Sequence, residues 1–273
     1  MAPSSMASVP FWLCDLAGAW VFYSVLPAWP WLQPGFRRIA RFAPWIGLVI
    51  GVLAGLLWLL LAQLGWPPAS RVLVVLGFEA WITGGLHHDG VMDTADGLAA
   101  GEQHRLAAME DSRVGASGVM ALLLALLLQG AALLTLAERA PASQAGLLLP
   151  GWLVAAAFWG RCAPLWALLR FPYLRDGGTA GFHRAQARGG WELLPAGLAV
   201  LLGLALALLL PQTRLLLWSV PMGLGASWWV AWWLGRRLGG HTGDSYGACV
   251  VWTQALMLML LALLPMPAPV GAA

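Results

Sequence analysis

The chain has 273 residues, of which 60% are hydrophobic and 10% charged, with a mean hydropathy of +0.75. Soluble globular chains carry about a quarter charged residues, so an aqueous globule is excluded. The formal charge is +3, but the basic residues are all arginines and all but Arg161 lie in or beside short loops, a pattern of membrane topology rather than of a nucleic-acid face.

Apolar runs occur at about Phe11 to Leu26, Pro44 to Leu64, Arg71 to Leu86, Gly118 to Leu136, Leu147 to Leu169, Leu193 to Leu210, Leu215 to Leu234, and Tyr246 to Leu264. A spanning helix needs about 20 apolar residues, so the expected fold is all-α: one polytopic transmembrane bundle over 1–273 with about eight spans. The first and third runs are short and contain Asp15 and Glu79, so each is expected to be a full span, a re-entrant segment or a helix packed inside the bundle. The N-terminus lacks a basic start and a small-residue cleavage site, so the first run is expected to persist in the mature protein. Cys14, Cys162 and Cys249 form no CxxC pair and point to neither disulfides nor a thiolate metal site. The tryptophans, including Trp228, Trp229, Trp232 and Trp233, are expected to be interfacial anchors.

Assigning alternate loops to opposite sides is lopsided. One side receives Arg37, Arg38, Arg41, Arg105, Arg113, Arg170, Arg175, Arg184, Arg188, Arg236 and Arg237, and the other only Arg71, Arg139 and Arg214. The positive-inside bias makes the first side cytoplasmic. The histidines at 87, 88, 104, 183 and 241 and most carboxylates share it, so the chemistry is expected on the cytoplasmic face.

The richest segment there is GGLHHDGVMDTADGL, from Gly84 to Leu98. On a helix Asp89, Asp93 and Asp96 point within roughly 60° of one another, and three such carboxylates repel unless a cation lies among them. Oxygen-only ligands favour Mg²⁺, whereas zinc prefers nitrogen or sulfur. In MEDSRVGASG, from Met109 to Gly118, Asp111 and Arg113 form either a surface pair or a phosphate contact through the guanidinium. In GGHTGDSYGA, from Gly239 to Ala248, Thr242, Gly243, Ser245 and the backbone N–H groups at a helix start can cradle an anion. Between these lies RDGGTAGFHRA, from Arg175 to Ala185, either a closing loop or a plain connection. Arg161 lies inside an apolar run, where an unpaired charge costs about 2.5 to 3.5 kcal/mol, so a buried carboxylate or a substrate phosphate is its expected partner.

Together His87–His88–Asp89–Gly90 with Asp93, Ala95, Asp96 and Gly97, then Asp111–Ser112–Arg113 with Gly115, then Gly239–Gly240, Thr242–Gly243–Asp244 and Gly247–Ala248 resemble the cobalamin synthase family, the adenosylcobinamide-GDP ribazoletransferases. The resemblance covers nearly the whole chain. It departs at His88, Glu110 and Tyr246, where the family pattern has an apolar residue, an arginine and a leucine.

The resemblance implies a Mg²⁺-dependent, multi-pass enzyme of the bacterial inner membrane, active on the cytoplasmic face. A hydroxyl of α-ribazole or its 5′-phosphate attacks the cobinamide-linked phosphate of adenosylcobinamide-GDP, releasing GMP and forming adenosylcobalamin or its phosphate. The expected roles are metal binding for Asp89, Asp93 and Asp96, and phosphate or substrate contact for Arg113, Arg161, Arg175, Thr242 and Gly243. Asp111 or Asp244 would position or deprotonate the hydroxyl. Lipid is the expected surrounding, no nucleic-acid partner is expected, and a homo-oligomer is left open. The rival readings are a CDP-alcohol phosphotransferase, an aromatic prenyltransferase or a transporter. Asp89-Gly90-Val91-Met92-Asp93-Thr94 lacks the Asp-Gly-x-x-Ala-Arg start of the first, only one aspartate-rich helix is evident for the second, and no internal repeat supports the third.

Overall fold

A computed structural model describes residues 9–141, 144–175 and 186–265. Their α-helices are α1 (Phe11–Tyr23), α2 (Ala43–Gln63), α3 (Pro68–Ile82), α4 (Leu86–Ala99), α5 (Arg105–Glu110), α6 (Ala116–Arg139), α7 (Ala145–Arg170), α8 (Leu194–Leu209), α9 (Ser219–Leu238) and α10 (Gly243–Ala262). The described residues include no strand, only an isolated bridge between Tyr173 and His241. The expected all-α bundle is the observed one.

Among the described residues five segments are long and apolar enough to cross a membrane: Ile39–Gln63, Ala116–Arg139, Gly146–Arg170, Gly189–Leu209 and Gly243–Ala262. The bent pair α3 and α4 makes a sixth if it counts as one span. This is fewer than the eight expected from the apolar runs. The first run yields only the 13 residues of α1, about 20 Å of helix. The third stops where Gly84 and Gly85 adopt φ of +60° and +74° and the chain turns 88° into α4, a backbone that only glycine adopts without strain. The 20 residues of α9 are long enough, but glycines, tryptophans and two terminal arginines dilute their apolarity.

The centre of the bundle is α7 and α10, each 72% buried along its span, whereas the span containing α8 is 17% buried. Along α8, Leu201, Leu202, Leu208 and Leu209 face outward; an apolar surface of that extent calls for a lipid surrounding.

The most extensive helix packing is α2 on α7, and glycine at every fourth position permits it. A Cβ on Gly51 would lie 2.5 Å from Val154 Cα, one on Gly55 2.9 Å from Pro150 Cβ, and one on Gly47 2.9 Å from Arg161 Cδ. Small residues at this spacing let backbones touch where no hydrophobic force drives helices together.

Hydrogen bonds at both ends of α10 fix it and the chain beside it. Thr242 caps α10 in a reciprocal box, its Oγ1 accepting from Ser245 N–H at 3.2 Å while Thr242 N–H donates to Ser245 Oγ at 2.8 Å. At the opposite end of α10, Arg139 Nη1 donates to the Ala262 carbonyl at 2.9 Å. The chain leaving α7 is then strapped to the loop before α10, with His241 N–H donating to Pro172 O at 2.9 Å and Leu174 N–H to His241 O at 2.8 Å. The His241 ring is buried between Ser245 Oγ at 3.0 Å and the Ala231 carbonyl at 3.1 Å, and burial pushes its pKa down to about 4.

Gly51→Ala is expected to lower the thermal midpoint in detergent, by the equivalent of about 1–3 kcal/mol of overpacking. Gly77→Ala, where a Cβ meets nothing within 4 Å, is expected to leave it unchanged. The depressed pKa of His241 sets a second expectation. As pH falls below the unfolded value near 6.5 the unfolded chain takes up a proton that the folded chain refuses until about 4, so stability is lost with falling pH across that window. At about pH 5.5 the loss is roughly 1.4 kcal/mol, measurable as a lower midpoint than at neutral pH.

Candidate active site

Asp89 and Asp93 lie on α4, which packs most closely on α10 and α6. The approach to α10 is set by two glycines. A Cβ on Gly90 would strike the Asp244 carbonyl and lie 3.1 Å from Gly247 Cα, and a Cβ on Gly247 would lie 3.2 Å from His87 Cα. With no side chain between the helices, Asp244 in the first turn of α10 comes within electrostatic reach of both Asp89 and Asp93.

Arg175 joins this group at Asp244. The strap at His241 delivers it, and its Nη2 lies 2.9 Å from Asp244 Oδ2 while its Nε lies 3.3 Å from Glu110 Oε1. Glu110 thus has a partner in the chain itself. Among the described residues no three of His, Cys, Asp and Glu already converge as a metal site; the acids are neighbours rather than a closed cage.

Asp96 turns elsewhere. Its Oδ2 accepts from Gly115 N–H at 2.7 Å and its Oδ1 from Gly118 N–H at 2.8 Å, so it caps α6 from outside that helix. A Cβ on Gly115 would collide with its carboxylate, and one on Gly118 would lie 2.6 Å from Oδ2. The expected trio therefore divides: Asp89 and Asp93 face Asp244, and Asp96 is bonded through both oxygens to the start of α6.

Asp111 and Arg113 take the surface-pair alternative. Arg113 Nη2 lies 2.6 Å from Asp111 Oδ2, with 88% and 35% of the two side chains exposed. The Arg113 guanidinium and its backbone N–H hold the Asp111 carboxyl down to about 2, which makes it a poor proton acceptor at neutral pH. Thr242 is fully buried and its hydroxyl is used within the cap and toward Asp244 Oδ2 at 3.3 Å, so it holds Asp244 rather than facing a ligand.

A cavity of about 110 Å³ connects the cluster with the bundle interior, lined by Asp89, Asp244, Gly243, His87, Tyr23 and Arg161 among others. Arg161 is 2% exposed; Nη1 donates to the Ala157 carbonyl of its own helix at 2.9 Å, and its buried Nε has no partner among the described residues. Glu79, held by Gln254 Nε2 at 3.4 Å, is the carboxylate acting on it electrostatically, so the expected buried carboxylate is present without a direct ion pair. His87, named in the motif but given no site role by the sequence reading, and Tyr23, which it did not single out, are also cavity residues. A polar residue two positions before Asp89 at membrane depth was the available signal for His87; Tyr23 carried none. Residues 176–185 of the polar connection after Arg175, and with them His183 and Arg184, lie outside the described residues.

The profile of the cobalamin-5-phosphate synthase family matches residues 15–262. An adenosylcobinamide-GDP ribazoletransferase of Prochlorococcus marinus strain MIT 9303 is 56% identical over 93% of this chain and 97% of its own. Enzymes of the same name from Thermosynechococcus vestitus and a Synechocystis species are 44% identical over 89% and 93%, and 37% identical over 92% and 96%, of this chain and their own. No solved structure matches. With every segment that shapes the acid cluster inside the matched region, the chain belongs to the cobalamin-5-phosphate synthase family.

Proposed function

We propose that this chain transfers the adenosylcobinamide phosphate of adenosylcobinamide-GDP to a hydroxyl of α-ribazole or α-ribazole 5′-phosphate, releasing GMP. The single observation that carries the reading is that the Gly90–Gly247 crossing brings Asp244, with Arg175 on it, within electrostatic reach of Asp89 and Asp93, within a family whose relatives bear that name.

Asp89 and Asp93, with Asp244 beside them, would hold Mg²⁺. An all-oxygen set of a few carboxylates with room for substrate oxygens fits that ion, which commonly keeps water and phosphate among its ligands. When bound, it supplies charge neutralisation at the diphosphate.

The chain's own groups account for the rest. Arg175 is held by Asp244 and Glu110 and can exchange a carboxylate for a phosphate oxygen bidentately. Arg161 offers an unpartnered Nε from the cavity, where a phosphate would supply the missing acceptor. Asp244, capped by Thr242 and restrained by Arg175, is the carboxylate placed to accept the proton of the attacking hydroxyl. The new P–O bond forms to that oxygen as the bond to GMP breaks, in line.

Arg37, Arg38 and Arg41 lead into the segment whose Ala40 and Ala43 line the same cavity. The arginine-rich end is therefore the active-site end, and the positive-inside bias supports a cytoplasmic active face in the bacterial inner membrane.

GMP release from adenosylcobinamide-GDP plus α-ribazole is expected to require Mg²⁺ and to fall by at least about 10²-fold in Asp93→Asn and Asp244→Asn. Asp111→Asn is expected within about twofold of the parent, as for a surface substitution. Turnover unaffected by Asp244→Asn, or abolished by Asp111→Asn in folded protein, would reverse the assignment of the base. Folded protein without turnover on either ribazole would overturn the proposed reaction.

A further inference from the structure

On the outer side of the Ile39–Phe42 turn, away from the active-site cavity, lies a second and larger concavity of about 660 Å³. Its polar wall is Arg38, Arg41 and Arg188, and its apolar wall includes Trp45, Trp191 and Leu198. Two internal carboxylates reach this wall. Glu192 Oε1 takes Arg38 Nη2 at 2.5 Å, Arg38 Nε at 2.9 Å and the Arg188 backbone N–H at 2.9 Å, and Asp15 Oδ2 takes Arg41 Nη2 at 3.2 Å. Both carboxylates are buried. After these pairings positive charge remains: among the described residues the exposed Arg188 guanidinium has no ion pair and the buried Arg41 Nε has no acceptor.

We infer that this groove binds the headgroup of an anionic phospholipid, with its acyl chains laid along the outward face of α8. Two features favour a lipid over a soluble anion. The arginine wall is continuous, through Leu194 and Leu198, with α8, whose span is the least buried of the five. Trp191, 68% exposed, and Trp12, 52% exposed, stand at the groove, the amphipathic residues that settle at the headgroup level. A phosphodiester there would meet the surplus guanidinium groups while its chains stay beside leucine. Trp45 Nε1 donates to the Pro195 carbonyl at 2.8 Å and ties α8 to α2, so the wall is fixed to the same segment that lines the active-site cavity from its other side.

The test uses the full chain in neutral detergent. Native mass spectrometry would measure retention of palmitoyl-oleoyl phosphatidylglycerol against phosphatidylcholine with the same chains, for the parent and for Arg188→Gln and Trp191→Ala. Preferential retention of phosphatidylglycerol is expected, reduced roughly fivefold by Arg188→Gln and reduced again in the double variant, while GMP release in detergent is unchanged. Equal retention of the two lipids, or retention insensitive to both substitutions, would overturn the inference. Displacement of phosphatidylglycerol by equimolar inorganic phosphate would also overturn it, by assigning the groove to a soluble phosphate.

Discussion

The closest approach of α4 and α10, glycine against glycine at Gly90 and Gly247, is the constraint on which the site depends. A methyl group on Gly90 would press on the carbonyl of Asp244 itself. Carboxylates from two helices are thereby held as neighbours, and like charges held so close favour a cation or a guanidinium among them. Arg175 supplies a guanidinium to one of them, Asp244.

The surrounding polar groups serve this crossing. Asp96, at the far end of α4, bonds the first N–H groups of α6 and so fixes α4 against a second helix. Thr242 and Ser245 close the first turn of α10 around Asp244. His241 is held neutral by burial and carries the strap that presents Arg175. The caps satisfy backbone groups at helix ends that have no partner within the helix, and the cap and the strap together orient Asp244 and Arg175.

Arg161 shows the opposite arrangement. An arginine inside an apolar helix ordinarily finds a close carboxylate, yet Glu79 reaches it only through space and its Nε is left open. Gly47 makes room for its stem at the α2–α7 contact. The cavity beside it joins that open donor to Asp89 and Asp244, an arrangement suited to an elongated substrate carrying negative charge.

Composition and helical periodicity were enough to determine a helical membrane protein, with its polar segments gathered at one end and Asp89 and Asp93 on one helix face. These follow from local rules: the length of apolar runs, the 100° step of a helix and the distribution of arginine. The family was legible for a similar reason, since its motifs are contiguous in the chain. Tertiary structure alone decided the rest. It separated Asp96 from its helix neighbours because α6 offered two bare N–H groups, left Asp111 at the surface because Arg113 was its nearest cation, and brought in Asp244 through a glycine contact more than 150 residues away in sequence. Spacing along one helix shows which way side chains point; which of them meet is set by the helices packed across from them.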